Sequence, residues 1–325
     1  MKSSKLYFDK DCDISIIQSK RVGVIGYGNQ GKAQVLNLID SQIDVIVGLR
    51  HNSKSKLELD GRNIPNNLIS VVVDQVDVIV VLVPDKSMKN CYYDYIHNHL
   101  KDGQTIIFSH GYNVHYNLID IPENINVAMI APSGGGAIVR SKFIDGEGVP
   151  GLIAVDNDPT GDTISLIKSY GIAIGCARVC LFESTFKEET ETDLYGEQVL
   201  LTGGLPMYIN KTLKVLLESG YSPEVSWFVC YYELKTIVDL FHEKGLDFLY
   251  SAISDTAKYG GLTRGEYLID SNMELKMKSI LKEIQSGEFH KELENGKPKN
   301  YESPFSKDEN EIFDQLLSTL FTKKK

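Results

Sequence analysis

Arg21-Val22-Gly23-Val24-Ile25-Gly26-Tyr27-Gly28-Asn29-Gln30-Gly31 decides how the first half of the chain is read. Five mostly apolar residues form a short buried strand, and the chain then enters Gly-x-Gly-x-x-Gly. In this setting each glycine has a physical task. Gly26 permits the tight turn. Gly28 lets the backbone approach a pyrophosphate. Gly31 lets the following helix pack closely on the strand. The phosphates then face a helix N-terminus, whose N–H groups and dipole attract anions.

Working outward, Lys32–Leu38 reads as the helix and Asp44–Leu49 as a second strand. Val78–Val83 is a wholly apolar run of the kind buried on both faces of a parallel sheet. Thr105–Phe108, Val127–Ile130 and Gly151–Val155 read as further strands. Strands alternating with helices predict a doubly wound α/β sheet of Rossmann type.

The pattern changes near residue 185. Long helical segments follow at Glu188–Leu201, Met207–Gly220, Glu224–Lys244 and Met273–Ser286. Two domains are expected, a dinucleotide-binding domain over 1–185 and a helical domain over 186–325. The polar Lys297–Lys307 stretch is expected to be a surface loop, and the last residues, TKKK, to fray.

The chain has 325 residues, 42% hydrophobic and 24% charged, with net charge −10. That acidity argues against a nucleic-acid partner. No run of about 18 apolar residues is present, so no membrane span is expected. The first residues have no apolar core of a signal peptide. Five scattered cysteines fit free thiols in a reducing cytoplasm. Cys176 and Cys180 lack a second ligand pair nearby, which argues against zinc.

The end of the second strand selects the cofactor. NAD sites usually carry an acid there for the ribose 2′-hydroxyl. Here Arg50, Ser53, Lys54, Ser55 and Lys56 follow, with no acid among them. This loop suits the 2′-phosphate of NADPH through charge-assisted hydrogen bonds. In the helical half, Asp193 and Glu197 stand four apart and share a helix face. Two carboxylates so placed repel unless a cation or proton sits between them, and hard oxygen ligands suit Mg²⁺. A solvated acidic face is the plainer alternative. Glu233 is a further carboxylate on a mostly apolar helix.

Several stretches together resemble the short, class I ketol-acid reductoisomerases: VGVIGYGNQG, VGLR, LVPD, FSHGYNVHY, TFKEETETDLYGEQ, ELKTIVDL, SAISDTAKYG and IQSGEF. The resemblance implies a Rossmann domain followed by a knotted, all-helical domain. It also implies a homodimer whose active sites are completed by the partner subunit, working in branched-chain amino-acid biosynthesis. The implied reaction is Mg²⁺-dependent alkyl migration on an acetohydroxy acid, followed by reduction with NADPH. By motif, Tyr27, Gly28, Asn29, Gln30, Arg50, Ser53, Ser55, Asp85, Lys86, Ser87, Met88 and Gly136 would contact NADPH. His110 would lie near the nicotinamide and Ser254 would hold the substrate carboxylate. Asp193 would bridge two ions, Glu197 would bind one, and Glu233 of the other subunit would reach the second.

Four positions depart from the family pattern. Val229 stands where the first glutamate of E-x-x-x-E is expected, leaving Glu233. Ser133 and Ala137 replace the lysine and histidine of A-P-K-G-P-G-H, and Tyr232 replaces a histidine. Loss of a hard ligand and of proton-transfer groups predicts one bound Mg²⁺ rather than two. Alkyl migration needs metal polarisation of a ketone and stabilisation of an alkoxide. The sequence therefore predicts an NADPH-dependent reductase of a small keto-acid-type substrate, with isomerisation lost or weakened. The alternatives are a complete ketol-acid reductoisomerase and a non-enzymatic NADPH-binding protein.

Overall fold

The computed structural model describes residues 3–296, 314 and 316–319. The expected Lys297–Lys307 loop and the terminal TKKK lie outside the described residues. The chain divides into two compact units, Met1–Thr190 and Glu191–Lys325.

The first unit is built on one nine-stranded sheet. Its strands are β1 (Leu6–Tyr7), β2 (Arg21–Ile25), β3 (Asp44–Leu49), β4 (Asn66–Leu68), β5 (Val78–Val81), β6 (Thr105–Phe108), β7 (Asn126–Pro132), β8 (Gly151–Asn157) and β9 (Leu181–Glu183). They run in the order β1-β9-β8-β7-β6-β5-β2-β3-β4. From β4 to β7 every pairing is parallel. The order therefore reverses between β2 and β5, and that crevice is where open α/β sheets bind ligands. Val22, Val24, Ile79, Val80, Ile106 and Ile107 are fully buried, as strands covered on both faces must be.

The sheet is mixed rather than wholly parallel. β8, expected from Gly151–Val155, pairs antiparallel with β7, with Ala131 opposite Leu152. The cause is the connection. The Gly136–Ile144 helix leads through Gly148-Val149-Pro150 straight back along the same edge. Periodicity reports burial, which antiparallel and parallel central strands share, so it carries no direction.

The second unit is helical among the described residues: Gly204–Glu218, Pro223–Trp227, Leu234–Lys244, Leu246–Ala252, Asp255–Leu268, Ser271–Gln285 and Glu288–Asn295. The Phe186–Gly196 helix runs across the division between the units. Two of its described segments are π-helical, Glu197–Leu201 and Phe228–Glu233. The expected single helix Glu224–Lys244 is thus α, then π, then α. No helix among the described residues is long and apolar enough to cross a membrane, and all five cysteines are free thiols.

Candidate active site

The glycine fingerprint folds as its spacing demands. Gly26 has φ of +99°, a region that side chains avoid. A Cβ on Gly31 would collide with the Gly26 carbonyl, so helix and turn approach as closely as backbone allows. At Gly28 a Cβ would meet nothing within 4 Å, which is the open space a pyrophosphate requires. Gly28 caps the Asn29–Asp40 helix, whose first-turn N–H groups have no partners within the helix.

Above this turn lies a cavity of about 530 Å³. Gly26, Tyr27, Gly28, Arg50, Ser53, Ser55, Lys86 and Ser87 line it. Arg50 is exposed, and the Ser53 hydroxyl accepts from the Ser55 N–H at 3.3 Å, which fixes the loop at the end of β3. Asn29, Gln30, Asp85, Met88 and Gly136, also named from the sequence, are not among its lining residues. Gln30 donates to the Gly134 carbonyl at 2.8 Å, and a Cβ on Gly136 would collide with the Asn29 carbonyl. These two residues therefore lock the Gly134–Gly136 loop against the start of the Asn29–Asp40 helix. Met88 is 3% exposed and packs into the core, on the side of its helix turned away from the cavity. Asp85 opens that helix behind Pro84. Burial pushes the Asp85 carboxyl above its usual value, and nearby Glu189 acts in the same direction, while His110 opposes both.

His110 follows β6 and its Nδ1 lies 2.9 Å from Glu189 Oε1. The other oxygen, Oε2, accepts the Gly111 N–H at 2.8 Å. The Glu189 side chain is 3% exposed. A carboxylate only accepts, so Nδ1 must carry the proton, which leaves Nε2 as the basic atom of a neutral ring. Glu189 thus positions His110 and sets its tautomer. A Cβ on Gly111 would crowd Thr190 and Phe186, so only glycine admits the helix this close. Glu189 sits in the quoted run TFKEETETDLYGEQ, but nothing local in that run points to a histidine 79 residues earlier.

One turn beyond Glu189 on the same helix is Asp193, which is exposed. Glu197, also exposed, opens the π-helical turn. Glu233 closes the π-helical Phe228–Glu233 segment and is exposed. Isolated π turns recur at functional sites because the extra residue re-aims side chains. Three exposed carboxylates are a donor set suited to a hard divalent cation. Val229 is 45% exposed on the same segment as Glu233 and offers no ligand. Ser254 caps the Asp255–Leu268 helix, accepting the Ala257 N–H at 3.2 Å. Ser133 and Ala137 are both exposed in the loop and helix start after β7.

A mixed sheet whose β4-to-β7 portion is parallel, a glycine-rich crossover, a cavity at the switch point and a tautomer-fixed histidine define a nicotinamide-dependent oxidoreductase. Comparison with known proteins narrows this. The acetohydroxy acid isomeroreductase NADPH-binding domain family matches residues 16–180, and the ketol-acid reductoisomerase C-terminal domain family matches residues 186–315. The chain belongs to the ketol-acid reductoisomerase family. It is 45% identical over 289 residues to the NADP(+) ketol-acid reductoisomerase of Rhodococcus opacus, covering 89% of this chain and 86% of that one. It is 46% identical over 295 residues to the enzyme of the same name from Methanothermobacter thermautotrophicus, covering 90% and 89%. An NADH-preferring ketol-acid reductoisomerase from an uncultured archean superposes with a TM-score of 0.84 at 34% identity, covering 98% of this chain and 94% of that one.

Proposed function

We propose that this protein is a complete ketol-acid reductoisomerase, converting an acetohydroxy acid to a 2,3-dihydroxy acid with NADPH and Mg²⁺. The observation that carries this reading is the 45% identity to NADP(+) ketol-acid reductoisomerases over 89% of the chain, joined to the His110–Glu189 pair. It stands ahead of the reduction-only expectation drawn from the sequence. Arg50, Ser53 and Ser55 favour NADPH, because the cation and two hydroxyls complement a 2′-phosphate dianion. Asp193, Glu197 and Glu233 would hold Mg²⁺, which polarises a carbonyl and stabilises a developing alkoxide when bound. His110 Nε2 takes or returns a proton, while Glu189 holds the ring in that tautomer. Ser254 orients the substrate carboxylate.

The protein acts as a homodimer, with Glu233 reaching the partner's site. Phe228, Val229, Tyr259 and Leu262 leave large apolar side chains exposed on the helical unit, and a second copy would cover them. A second reading, in which reduction persists and isomerisation is weakened, is favoured by Ser133, Ala137, Val229 and Tyr232. These positions place a hydroxyl, a methyl, an isopropyl and a phenol where the family has charged or basic groups. The test is incubation with 2-acetolactate, NADPH and Mg²⁺. Formation of the dihydroxy acid supports the complete reaction. NADPH oxidation with 3-hydroxy-3-methyl-2-ketobutyrate alone supports the second reading and overturns the first.

A further inference from the structure

The cofactor cavity extends past every residue named from the sequence. Its far wall is one stripe of a continuous helix, α over Asp85–Cys91 and π over Tyr92–Ile96. Ser87, Asn90, Cys91, Asp94 and Tyr95 face the cavity from this helix. Met88, Tyr92 and Ile96 face the core from its other side, exposed by only 3%, 1% and 0%. The spacing from Ser87 to Asp94 is seven residues, or about 10 Å along the axis. The helix therefore carries the cavity wall from the glycine-rich turn outward, beyond the place of the phosphates.

Charge makes this wall informative. Arg50 and Lys86 supply cations to the cavity, as a pyrophosphate and a 2′-phosphate require. Asp94 is a carboxylate in the same cavity. It opposes a polyanionic ligand unless it meets a hydrogen-bond donor on an uncharged part of it. Arg50 and Asp94 both line this one cavity, so the cation and the carboxylate face the same ligand. With the 2′-position phosphorylated, two uncharged donors remain at the adenosine end, the ribose 3′-hydroxyl and the adenine 6-amino group. The 3′-hydroxyl sits beside the 2′-phosphate, so the 6-amino group is the donor that a carboxylate can meet away from the phosphate charge.

We propose that Asp94 is a specificity residue that accepts a hydrogen bond from the adenine 6-amino group of the dinucleotide, with Tyr95 presenting an aromatic wall beside the base. Asp94 thereby offsets its repulsion from the phosphates and selects an amino-bearing purine. Tyr95 adds contact that does not depend on the base substituent. This assignment rests on the NADPH reading above and deepens it.

The test is equilibrium binding, followed by protein fluorescence, of NADPH and of the analogue carrying unsubstituted purine in place of adenine. Wild-type protein is expected to bind NADPH about tenfold more tightly than the analogue, the effect of one hydrogen bond to a charged acceptor. Asp94 is exposed, so Asp94→Ala keeps the fold. In that variant the preference should fall to within about twofold, while Tyr95→Ala weakens both ligands and keeps the ratio. Equal binding of the two ligands by wild type, or an undiminished preference in Asp94→Ala, overturns the assignment and leaves the NADPH reading standing. Failure of wild type to bind NADPH at all overturns both.

Discussion

Glu189→Gln tests how the site works. The carboxylate accepts from the Gly111 N–H at 2.8 Å, from His110 Nδ1 at 2.9 Å and, at 3.4 Å, from the Thr190 hydroxyl. Glutamine is nearly isosteric, but it accepts at one end and donates at the other. If its oxygen faces His110, its NH₂ meets the Gly111 N–H, a buried clash of donors costing about 2 kcal/mol or more. If its oxygen keeps Gly111, its NH₂ donates to Nδ1 and the imidazole proton moves to Nε2. The second arrangement is cheaper. It loses only the charge assistance of these contacts, about 1–2 kcal/mol of stability. It also removes the basic Nε2, so turnover should fall about 10²- to 10⁴-fold, the usual range for general acid–base groups. NADPH affinity should stay within about twofold, since Glu189 does not line the cavity. The assay pairs steady-state kinetics with ¹⁵N chemical shifts of the His110 ring. An unchanged tautomer together with turnover within threefold of wild type would refute the assignment of Glu189 as the residue that positions His110.

Other consequences are equally direct. Gly28→Ala meets nothing within 4 Å, so it should leave unfolding by urea unchanged within about 0.5 kcal/mol while weakening NADPH binding. Gly31→Ala collides with the Gly26 carbonyl and should destabilise by about 1–3 kcal/mol in the same measurement. Asp85, raised above 3.8 mainly by burial, contributes stability that is present below pH 3.8 and lost as pH climbs through the raised value. Relative to wild type, Asp85→Asn should therefore gain stability as pH rises above 3.8; a difference that stays flat with rising pH contradicts the burial argument. Val229→Glu restores a carboxylate beside Glu233 and should tighten Mg²⁺ binding in calorimetric titration.

What the sequence makes legible follows from the range of each interaction. The fingerprint at 26–31 is local, and its turn, cavity and close helix approach all appear where the glycines stand. The apolar run at 78–83 gives a central strand, trimmed to Val78–Val81. β1, β4 and β9 are two or three residues long, too short to carry a period, and they form because a neighbouring edge pairs with them. The π segments are invisible because a pattern of 3.6 residues per turn does not register one extra residue. In the site, Arg50, Ser53 and Ser55 are legible from their place after β3. Glu189 and Asp94 are not. Glu189 acts through a residue 79 positions away, and the helix face holding Asp94 is defined only once Met88, Tyr92 and Ile96 have taken the core side.

The proposed complete reaction requires a site that tolerates the replacements at Ser133, Ala137, Tyr232 and Val229. It is tested most directly by comparing NADPH oxidation on 2-acetolactate with that on 3-hydroxy-3-methyl-2-ketobutyrate, at saturating Mg²⁺ and with the products identified. Turnover of both to the same dihydroxy acid is expected. Turnover of the second substrate with none of the first would contradict it.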